Sequence, residues 1–439
     1  MLRRFFAVAF CLGAILMCGC SDDDNITEPV DGIAPALITD LAAITPSATS
    51  ITLTWTAPGD DGTIGKARQY DIRYSLTSIS ESNWDAATPV SNPLTPTVGG
   101  ETETFEVTGL SPTTTYYFAV RTGDEVPNWS GLSNVASATT LLTGNWTIYD
   151  AAGSDLPSDT VNCMVLPSLD DRLFGTASGL AWLVGSDWTV YNAASSDIAG
   201  DDITALAVDS SGNVWIGTRT DGLSCFDGTA FTNYSDTNSA LACNAIRGIT
   251  VSATGDIWVG TGNCGLYRIQ GDIWTPFNVG NSDMHADVVR SVAFDADGNL
   301  WIGYSLGGAD RFDGSSFEHF DASDGFTSLG VTSILPLSEG DIWFGTENGA
   351  FLYSNGDWQS LNTSNSDLAA NLVLAVAVDS SGDRWFATPS GLSRFNGTDW
   401  TTYTTGNSLL PDDAVKALGV DAFGNLWIGT EDGLAVFND

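Results

Sequence analysis

The sequence predicts an all-β fold, and three observations carry that prediction. Its 439 residues include 47 glycines and 15 tryptophans, a composition typical of short strands joined by tight turns and packed through aromatic side chains. No helical periodicity is visible beyond the first twenty residues. A pattern of 42 or 43 residues recurs through the C-terminal part of the chain, which indicates a repeat architecture. The length suggests two or three domains rather than one.

The start of the chain is a targeting segment, with residues 1–19 as the predicted signal peptide. Arg3 and Arg4 precede an apolar run over 5–17 that is too short to span a bilayer permanently. The letters LMCG before Cys20 resemble the lipobox of bacterial lipoproteins, with Cys20 as the lipidated residue. An ordinary cleaved signal peptide is the alternative. The resemblance implies a stable lipid anchor, and Ser21 favours the outer membrane of a Gram-negative cell.

The charge of the chain restricts its partners. The 54 acidic residues outnumber the 15 basic ones, so the net charge is −39. Nucleic acid is excluded as a partner because phosphate binding needs clustered lysine and arginine. An anionic membrane surface would repel the chain, which leaves the lipid as its only membrane contact. Cations and basic partners are compatible with the charge, and the alternative explanation is the solubility of a surface protein.

After a polar tether over 20–33, residues 34–140 alternate as the strands of a sandwich do. Trp55 lies in the early strand SITLTWT, and the segment TYYFAV places Tyr116 and Phe118 on one face. With the run Leu-Ser-Pro-x-Thr-x-Tyr that ends at Tyr116, these residues resemble a fibronectin type III domain, in which Tyr116 would be the corner tyrosine. The resemblance implies a sandwich but no ligand. We expect a spacer, with carbohydrate or protein contact as the alternative.

The repeat occupies residues 141–439 and predicts four short strands per unit. Strings such as NVWIGT and NLWIGT recur at intervals of 42 or 43 residues, and a second series marks aromatic residues in strings such as DWTVY. Four strands repeated radially are the pattern of a β-propeller. The first series comprises Gly175, Gly217, Gly260, Gly303, Gly345, Ala387 and Gly429, and the second comprises Trp146, Trp188, Phe231, Trp274, Phe317, Trp358 and Trp400.

The two series are offset by one, and the offset predicts how the ring closes. The first aromatic string, at Trp146, precedes the first glycine-bearing core, whereas the last core, around Trp427, has no aromatic string after it. We therefore expect residues 145–150 to supply the outer strand of the last blade, which leaves no unpaired edge inside the ring. The predicted fold is a fibronectin-III-like sandwich followed by a seven-bladed β-propeller closed by an N-terminal strand in the last blade.

The repeats also resemble the propellers in the sensor regions of bacterial two-component regulators. The strings DGNLWIGY and FGNLWIGTEDGLAVF, and the loop NSLLPDDAVKAL, carry this resemblance over roughly residues 145–437. In those regulators the propeller precedes a transmembrane segment and a kinase. Because the sequence ends at Asp439 directly after the last repeat, we expect only the binding part of that role, without an attached kinase.

Four cysteines lie outside the leader. Cys243 and Cys264 flank one hairpin and are centred on its turn, so we expect them opposite each other at a separation that a disulfide can bridge. Two free thiols are the alternative. Cys163 and Cys225 fall in different blades at strands that do not correspond, and we expect buried free thiols there. The four cysteines do not have the spacing of a metal site.

The sequence contains no recognisable catalytic constellation. His319 lies in an outer strand and is expected at the surface, and His285 lies in an inter-blade loop without an evident partner. Nucleophile-elbow, zinc-protease and phosphate-loop motifs are absent from the sequence. The repeated Asp-x-x-Gly-Asn segments suggest calcium loops, but they stand at the hairpin of nearly every blade, so turn chemistry explains them. We expect no cofactor, with a divalent cation as the alternative.

Geometry still locates a candidate binding face. The loops between blades and the loops between second and third strands share one face of the ring, and loops concentrate function. This face would form a funnel that binds cations or polyols, or it would carry only solvated loop tips. Its predicted residues are Asp201, Asp202, Arg219, Asp221, His285, Asp287, Glu347, Asp412, Asp413, Glu431 and Asp432, with Asp155, Asp159, Asp283 and Asp367 as further acids.

Three functions fit these observations. The first is a non-catalytic binding module on a monomeric surface protein, with a glycan, a peptide or a protein as its partner. The second is a structural component of an envelope assembly. The third is a propeller lyase or hydrolase, which would need a metal ion and a histidine, and His285 is its candidate.

Overall fold

The computed structural model describes residues 32–45, 47–126, 128–168, 170–328 and 330–438. The predicted signal peptide, Cys20 and nearly all of the predicted tether lie outside them. Within the described residues the regular elements are strands, apart from one 3₁₀ turn at Trp84–Ala86, so the all-β prediction is confirmed. No helix in the described ranges is long and apolar enough to cross a membrane.

The N-terminal domain contains two sheets. One has the strand order β1-β2-β5 and the other β4-β3-β6-β7. The strands are β1 (Ala42–Ile44), β2 (Ser50–Thr56), β3 (Gln69–Ser75), β4 (Thr88–Pro89), β5 (Thr102–Thr108), β6 (Thr115–Gly123) and β7 (Ala136–Thr139).

Two aromatic residues of this domain occupy the places that the sequence predicts. Trp55 on β2 is buried, and its ring meets the Tyr70 ring edge to face at 5.2 Å between centroids. The backbone N–H of Ser111 donates to the Tyr116 hydroxyl at 2.9 Å, so Tyr116 ties the corner before β6 as a corner tyrosine does.

The C-terminal domain consists of seven four-stranded antiparallel sheets among the described residues, named here blades 1 to 7. Blade 1 holds β9 (Val161–Val165), β10 (Asp171–Thr176), β11 (Gly179–Val184) and β12 (Asp187–Tyr191). Blade 2 holds β13 (Ile203–Val208), β14 (Val214–Thr218), β15 (Leu223–Phe226) and β16 (Phe231–Tyr234). Blade 3 holds β17 (Ile246–Val251), β18 (Ile257–Thr261), β19 (Leu266–Gln270) and β20 (Ile273–Phe277).

The remaining blades follow the same order. Blade 4 holds β21 (Val289–Phe294), β22 (Leu300–Tyr304), β23 (Ala309–Phe312) and β24 (Phe317–Phe320). Blade 5 holds β25 (Val331–Pro336), β26 (Ile342–Thr346), β27 (Gly349–Ser354) and β28 (Asp357–Leu361). Blade 6 holds β29 (Ala375–Val378), β30 (Arg384–Thr388), β31 (Gly391–Phe395) and β32 (Trp400–Tyr403). Blade 7 holds β33 (Val415–Val420), β34 (Leu426–Thr430), β35 (Leu434–Asn438) and β8 (Asn145–Tyr149).

The ring closes through blade 7, where the first and last strands of the domain meet. β8 pairs antiparallel with β35, and Trp146 lies opposite Phe437 with 4.9 Å between ring centroids. The first strand of each blade lies beside the first strand of the next, and β33 lies beside β9. The strand that the offset of the two repeat series predicts over 145–150 is therefore the strand that completes the last sheet.

The recurrent glycine of the second strand is required by close packing between blades. A Cβ atom on Gly217 would lie 2.4 Å from Ile246 Cγ2, and one on Gly303 would lie 2.4 Å from Val331 Cγ1. Ile246 and Val331 are the first residues of the next blade's innermost strand. The absence of a side chain at this position lets neighbouring blades approach at the centre of the ring.

An aspartate in the first hairpin of several blades holds both the turn and the blade tryptophan. Asp209 Oδ1 accepts the backbone N–H groups of Ser211 and Asn213, and Oδ2 accepts from the Asn213 amide (2.8 Å) and the Trp215 indole (3.1 Å). Burial acts to raise the pKa of Asp209, but these hydrogen bonds outweigh it and the pKa is lowered. The same indole bond joins Asp295 to Trp301, Asp379 to Trp385 and Asp421 to Trp427.

A candidate ligand site at the centre of the propeller

A cavity of about 560 Å³ opens at the centre of the ring, on the face that carries the inter-blade loops. We call it the mouth. Its volume lies in the range of pockets that hold small ligands or short segments of a partner. The lining residues are Asn162, Thr204, Arg219, Arg247, Gly262, Val288, Arg290, Ser305, Thr332, Glu347, Leu372, Leu374 and Lys416.

β-Bulges on the innermost strands of six blades each place one side chain in the mouth. In blade 3, Ile246 pairs with Thr261 and Gly248 pairs with Gly260, so Arg247 is the inserted residue. A bulge locally twists a strand and redirects its side chains. The corresponding inserted residues are Asn162, Thr204, Arg290, Thr332 and Lys416, and in blade 6 Leu374 holds this position directly before β29.

Three of these seven positions join neighbouring blades. The Asn162 amide donates to the backbone carbonyl of Ile203 at 3.0 Å, and the Thr204 hydroxyl donates to that of Ile246 at 2.7 Å. The Thr332 hydroxyl makes the same bond to Val373. Each acceptor belongs to the following blade, so these short polar side chains have a structural role.

Cations occupy three of the other positions, and Arg219 adds a fourth from the loop after β14. Arg219 pairs with Asp202, Arg290 pairs with Glu347 at 2.7 Å, and Lys416 pairs with Glu431 at 3.2 Å. All three pairs are partly exposed, so each contributes little to stability.

Arg247 differs from the other three cations. No ion pair or hydrogen bond joins its guanidinium to another residue in the described part of the chain. Burial lowers the pKa of Arg247, the neighbouring charges of Arg219 and Arg290 lower it further, and Asp202 acts in the opposite direction. The guanidinium is therefore the one cation of the mouth whose charge lacks a protein partner among these residues.

Most acidic residues predicted for this face serve the loops rather than the mouth. Asp159, Asp201, Asp287 and Asp413 each accept the backbone N–H of a residue eight positions earlier, at 2.6 to 2.9 Å. Asn371 does the same in blade 6 at 2.9 Å. The bond recurs at the period of the repeat, so these carboxylates pin inter-blade loops.

The rest of the predicted set divides into ion pairs and local turns. Asp202, Glu347 and Glu431 balance the cations described above. The backbone N–H groups of Asp221 and Asp432 donate hydrogen bonds within local turns. The side chain of Asp412 accepts the backbone N–H of Ala414. Asp155 and Asp367 line separate shallow cavities, and Asp283 is exposed.

Apart from Glu347, the acids predicted for this face do not line the mouth. Of the predicted residues, Arg219 and Glu347 line it. The sequence interpretation considered loops, whereas the bulges bring strand residues into the opening. Arg247, Arg290 and Lys416 were missed for this reason, although whole repeats separate them (43 residues from Arg247 to Arg290 and 126 from Arg290 to Lys416), which marks them as equivalent. In the described residues no group of three or more His, Cys, Asp or Glu side chains is arranged to hold a metal ion.

The two histidines of the chain lie against each other, which corrects both predictions made for them. The rings of His285 and His319 are parallel, with 3.6 Å between their centroids. His319 Nδ1 lies 2.7 Å from Asp310 Oδ1, and the fully buried Asp310 also accepts the Tyr304 hydroxyl and the backbone N–H of His285. His319 is thus partly buried rather than a plain surface residue, and His285 has a partner.

Blade 4 has this cluster at positions where blade 2 has a serine and an asparagine. In blade 2, Ser224 accepts the backbone N–H of Ala199 and bonds to Asn233. Asp310 and His319 have the corresponding pairing positions in blade 4. Threonine ends the second strand of the other six blades, whereas blade 4 has Tyr304. His319 Nε2 is enclosed and has no hydrogen-bond partner among the described residues.

The disulfide that the sequence predicts is present with one difference in geometry, whereas the two free thiols are half-buried rather than buried. Cys243 and Cys264 form a disulfide with 6.2 Å between Cα atoms, but they lie in the loops before β17 and after β18 rather than within the strands. The bulge at Arg247 shifts the register, so the two residues face each other only beyond it. Cys163 and Cys225 are free thiols, and burial raises their pKa values to about 12 and about 11.

Models of two known families match the chain. The model of the fibronectin type III domain matches residues 35–134, and the model of the two component regulator propeller matches residues 197–220 and 409–432. The chain carries a fibronectin type III domain and two-component-regulator propeller repeats. Both resemblances predicted from the sequence are confirmed. The first propeller match runs from the loop before β13 to Thr220 in the loop after β14.

Curated relatives match over a limited stretch. Endoglucanase B of Cellulomonas fimi is 35% identical over 113 residues, and calcium-activated chloride channel regulator 4 of Homo sapiens is 33% identical over 118 residues. Each alignment covers 26% of this chain, but only 9% and 13% of the relatives. The chain spans a small fraction of both relatives, so their activities do not transfer to it.

Solved structures resemble the chain in fold. The extracellular domain of a hybrid two-component system from B. thetaiotaomicron has a TM-score of 0.59 and 17% identity, covering 91% of this chain and 56% of that domain. A catalytically inactive virginiamycin B lyase from Staphylococcus aureus with quinupristin has a TM-score of 0.56 and 15% identity, covering 68% and 100%. YCF48 bound to D1 peptide has a TM-score of 0.52 and 16% identity, covering 68% and 97%. At such identities these likenesses show the propeller fold alone.

Proposed function

We propose that this chain is an extracytoplasmic lipoprotein whose propeller binds a partner at the mouth without catalysing a reaction. The observation that carries the proposal is the mouth itself. Its seven equivalent positions hold asparagine, threonine, arginine, leucine and lysine, whereas the repeat keeps the packing residues around them nearly constant. Variation at positions that line an open cavity favours ligand recognition over a purely structural ring.

The chemistry of the lining supports binding rather than turnover. The mouth contains no histidine, cysteine or aspartate among the residues that line it. Its three ion pairs fix side chains around the opening, which suits a preformed recognition site. The similar propellers include the extracellular domain of a hybrid two-component system and YCF48 bound to D1 peptide. Both support a module that recognises a partner.

In this proposal the lipid anchor determines where the protein is held. Cys20 would carry the lipid, and the fibronectin type III domain would act as spacer. Growth with a labelled fatty acid should label the wild-type protein and leave the Cys20→Ser variant unlabelled. Equal labelling of both proteins would refute lipidation at Cys20.

Binding at the mouth can be tested by filling it. Leu374→Trp adds bulk inside the cavity, and Val184→Trp adds the same bulk at an exposed position of blade 1 that does not line it. The chain from residue 21, with each substitution, is applied to peptide and glycan arrays. We expect signals that Leu374→Trp abolishes and Val184→Trp leaves unchanged. Signals that survive Leu374→Trp would place the ligand elsewhere, and recovery of a stable envelope complex from both variants would favour the structural role.

A further inference from the structure

The mouth concentrates positive charge in a chain that otherwise carries very little of it. Four of the 15 lysines and arginines line this one cavity, although acidic residues outnumber basic ones more than threefold. A negative ligand is repelled by the surface at large, so this opening is a place where local charge opposes the net charge. The selection of cations at equivalent bulge positions therefore indicates an anionic group on the ligand.

The carboxylates of the mouth leave one cation unmatched. Asp202, Glu347 and Glu431 each balance one basic residue, and Arg247 stands between Arg219 and Arg290 without a carboxylate of its own. A guanidinium presents a planar fork of N–H donors that matches a carboxylate with two parallel hydrogen bonds. An incoming carboxylate would relieve the repulsion between the three arginines and satisfy donors that now meet solvent.

The opposite side of the mouth is apolar. Leu374 and Leu372 belong to the approach to blade 6, and blade 6 is as far from blade 3 as any blade of a seven-membered ring. Phenylalanine, tyrosine and tryptophan are missing from the lining, so a sugar ring would find no flat aromatic face to stack on. Leucine side chains instead suit an aliphatic group. The two sides together favour a ligand with a carboxylate at one end and an aliphatic group at the other.

Building on the proposed function, we infer that the mouth binds an acidic peptide segment of a partner protein, with a carboxylate at Arg247 and an aliphatic side chain at Leu372 and Leu374. Arginine clusters and captured terminal carboxylates are both established ways of holding peptides. The carboxylate comes either from an aspartate or glutamate side chain or from the C-terminus of the partner. The opening is wide enough for a short segment and too small for a folded domain.

The test uses a library of fluorescent N-acetylated tetrapeptides built from Asp, Glu, Leu and Val, each made as a free acid and as an amide. Binding to the chain from residue 21 is measured by anisotropy. Arg247→Gln removes the unmatched charge, and Arg68→Gln is the matched control, because it makes the same change of net charge on an exposed arginine outside the propeller. We expect Arg247→Gln to weaken binding about tenfold or more, since a charged hydrogen bond is lost, and Arg68→Gln to leave it unchanged.

Further arms separate the alternatives. Arg247→Lys keeps the charge without the fork and should give an intermediate loss, and equal melting temperatures of the variants show that folding is intact. Loss of binding on amidation assigns the carboxylate to the peptide C-terminus, and retained binding assigns it to a side chain.

The inference is overturned if Arg247→Gln binds these peptides as the wild type does, or if Arg68→Gln weakens binding equally. A set of sulfated and carboxylated oligosaccharides is tested in parallel. Binding of these sugars alone, lost in Leu374→Trp, would overturn the peptide assignment while leaving a binding module at the mouth. Binding of either class that Leu374→Trp does not affect would overturn the proposed function as well.

Discussion

Replacing Asp421 with asparagine tests whether one carboxylate holds both the hairpin of blade 7 and its tryptophan. Asp421 Oδ1 accepts the backbone N–H groups of Phe423 (3.0 Å) and Asn425 (2.9 Å). Its Oδ2 accepts from the Asn425 amide and the Trp427 indole, both at 3.0 Å. Asparagine has the same shape but only one acceptor oxygen, so one of these two sets of donors must face an NH₂ group.

The loss of stability in the Asp421→Asn variant follows from the groups that stay buried around the substituted side chain. The side chain of Asp421 is fully buried, Trp427 is 4% exposed, and Arg172 lies 3.5 Å from Asp421 Oδ2 with its guanidinium over the Trp427 ring. The Asn425 amide can rotate to accept from the new NH₂ group, but the indole N–H cannot. One unsatisfied buried donor, together with the lost charge on the remaining bonds, should lower the free energy of unfolding by about 3 kcal/mol.

Differential scanning calorimetry measures this effect on the propeller transition, where a loss of this size lowers the melting temperature by roughly 5 °C. Asp227→Asn in blade 2 is the matched control. Asp227 is exposed, and its Oδ1 accepts the backbone N–H groups of Thr229 and Ala230, both at 2.8 Å. Asparagine can keep those bonds because no indole donates to this side chain. The melting temperature of the Asp227→Asn variant should therefore hardly change. Equal shifts for the two variants would refute the proposed role of the indole.

The pH dependence of the stability difference between the wild type and Asp421→Asn gives a second check on the role of this carboxylate. Burial acts to raise the pKa of Asp421, but hydrogen bonds from Trp427 and Asn425 outweigh it and the folded-state pKa is lowered. The stability that this carboxylate contributes is therefore present above its unfolded pKa of about 3.9 and is lost as the pH falls through the folded pKa. The difference between the wild type and Asp421→Asn should be complete at neutral pH and shrink below about pH 4.

Four further outcomes follow from the structure. Trp146→Ala should lower the free energy of unfolding by about 2 kcal/mol in urea titrations, because a half-buried ring loses its contact with Phe437 across the ring closure. Cys264→Ser should cost about 2–4 kcal/mol, and the wild type should lose the same amount in reducing agent. Burial raises the pKa of Cys163 to about 12, so an aromatic disulfide reagent at pH 8 should modify it only after unfolding. Tyr304→Phe removes a donor to buried Asp310 and should cost about 1–3 kcal/mol in the same titrations.

Each of these expectations has a contrary result. An unchanged midpoint for Trp146→Ala would mean that β8 adds little to the closure of the ring. Identical melting of the wild type with and without reductant would speak against a stabilising disulfide. Rapid labelling of Cys163 in the native protein would show that the thiol is accessible. A neutral Tyr304→Phe substitution would show that His319 and the backbone satisfy Asp310 without the hydroxyl.

The architecture was accessible to sequence analysis because every blade repeats the same local chemistry. The offset of the two series predicted that residues 145–150 complete the last sheet, and β8 spans Asn145–Tyr149. Turn chemistry likewise explained the Asp-x-x-Gly-Asn segments, as the bonds of Asp209 show. The bulges were not visible, because an inserted residue such as Arg247 changes the pairing of a strand without changing the residue types around it.

The candidate site was harder to predict from the sequence than the fold, because it depends on which residues differ between blades. Sequence analysis placed acids such as Asp201 on the correct face, but their carboxylates hold loop backbone. A comparison of the residue that follows Ile203, Ile246 and the other strand-initiating residues would have shown the cations. The contact between His285 and His319 had no such signal, since the two lie 34 residues apart on a loop and a strand of different types.

The departures of blade 4 from the repeat and the cations of the mouth are physically connected. Burying a carboxylate such as that of Asp310 is costly unless several donors hold it, and Tyr304, His319 and the His285 N–H supply them. The His285 loop leads directly to Val288 and Arg290, and Ser305 follows Tyr304, so the cluster adjoins three lining residues of the mouth. The hydrogen bonds of this network tie the His285 loop to the second and third strands of blade 4, next to the strand that carries Arg290. The residues that distinguish blade 4 from the repeat and three residues of the mouth therefore lie side by side at the same end of this blade.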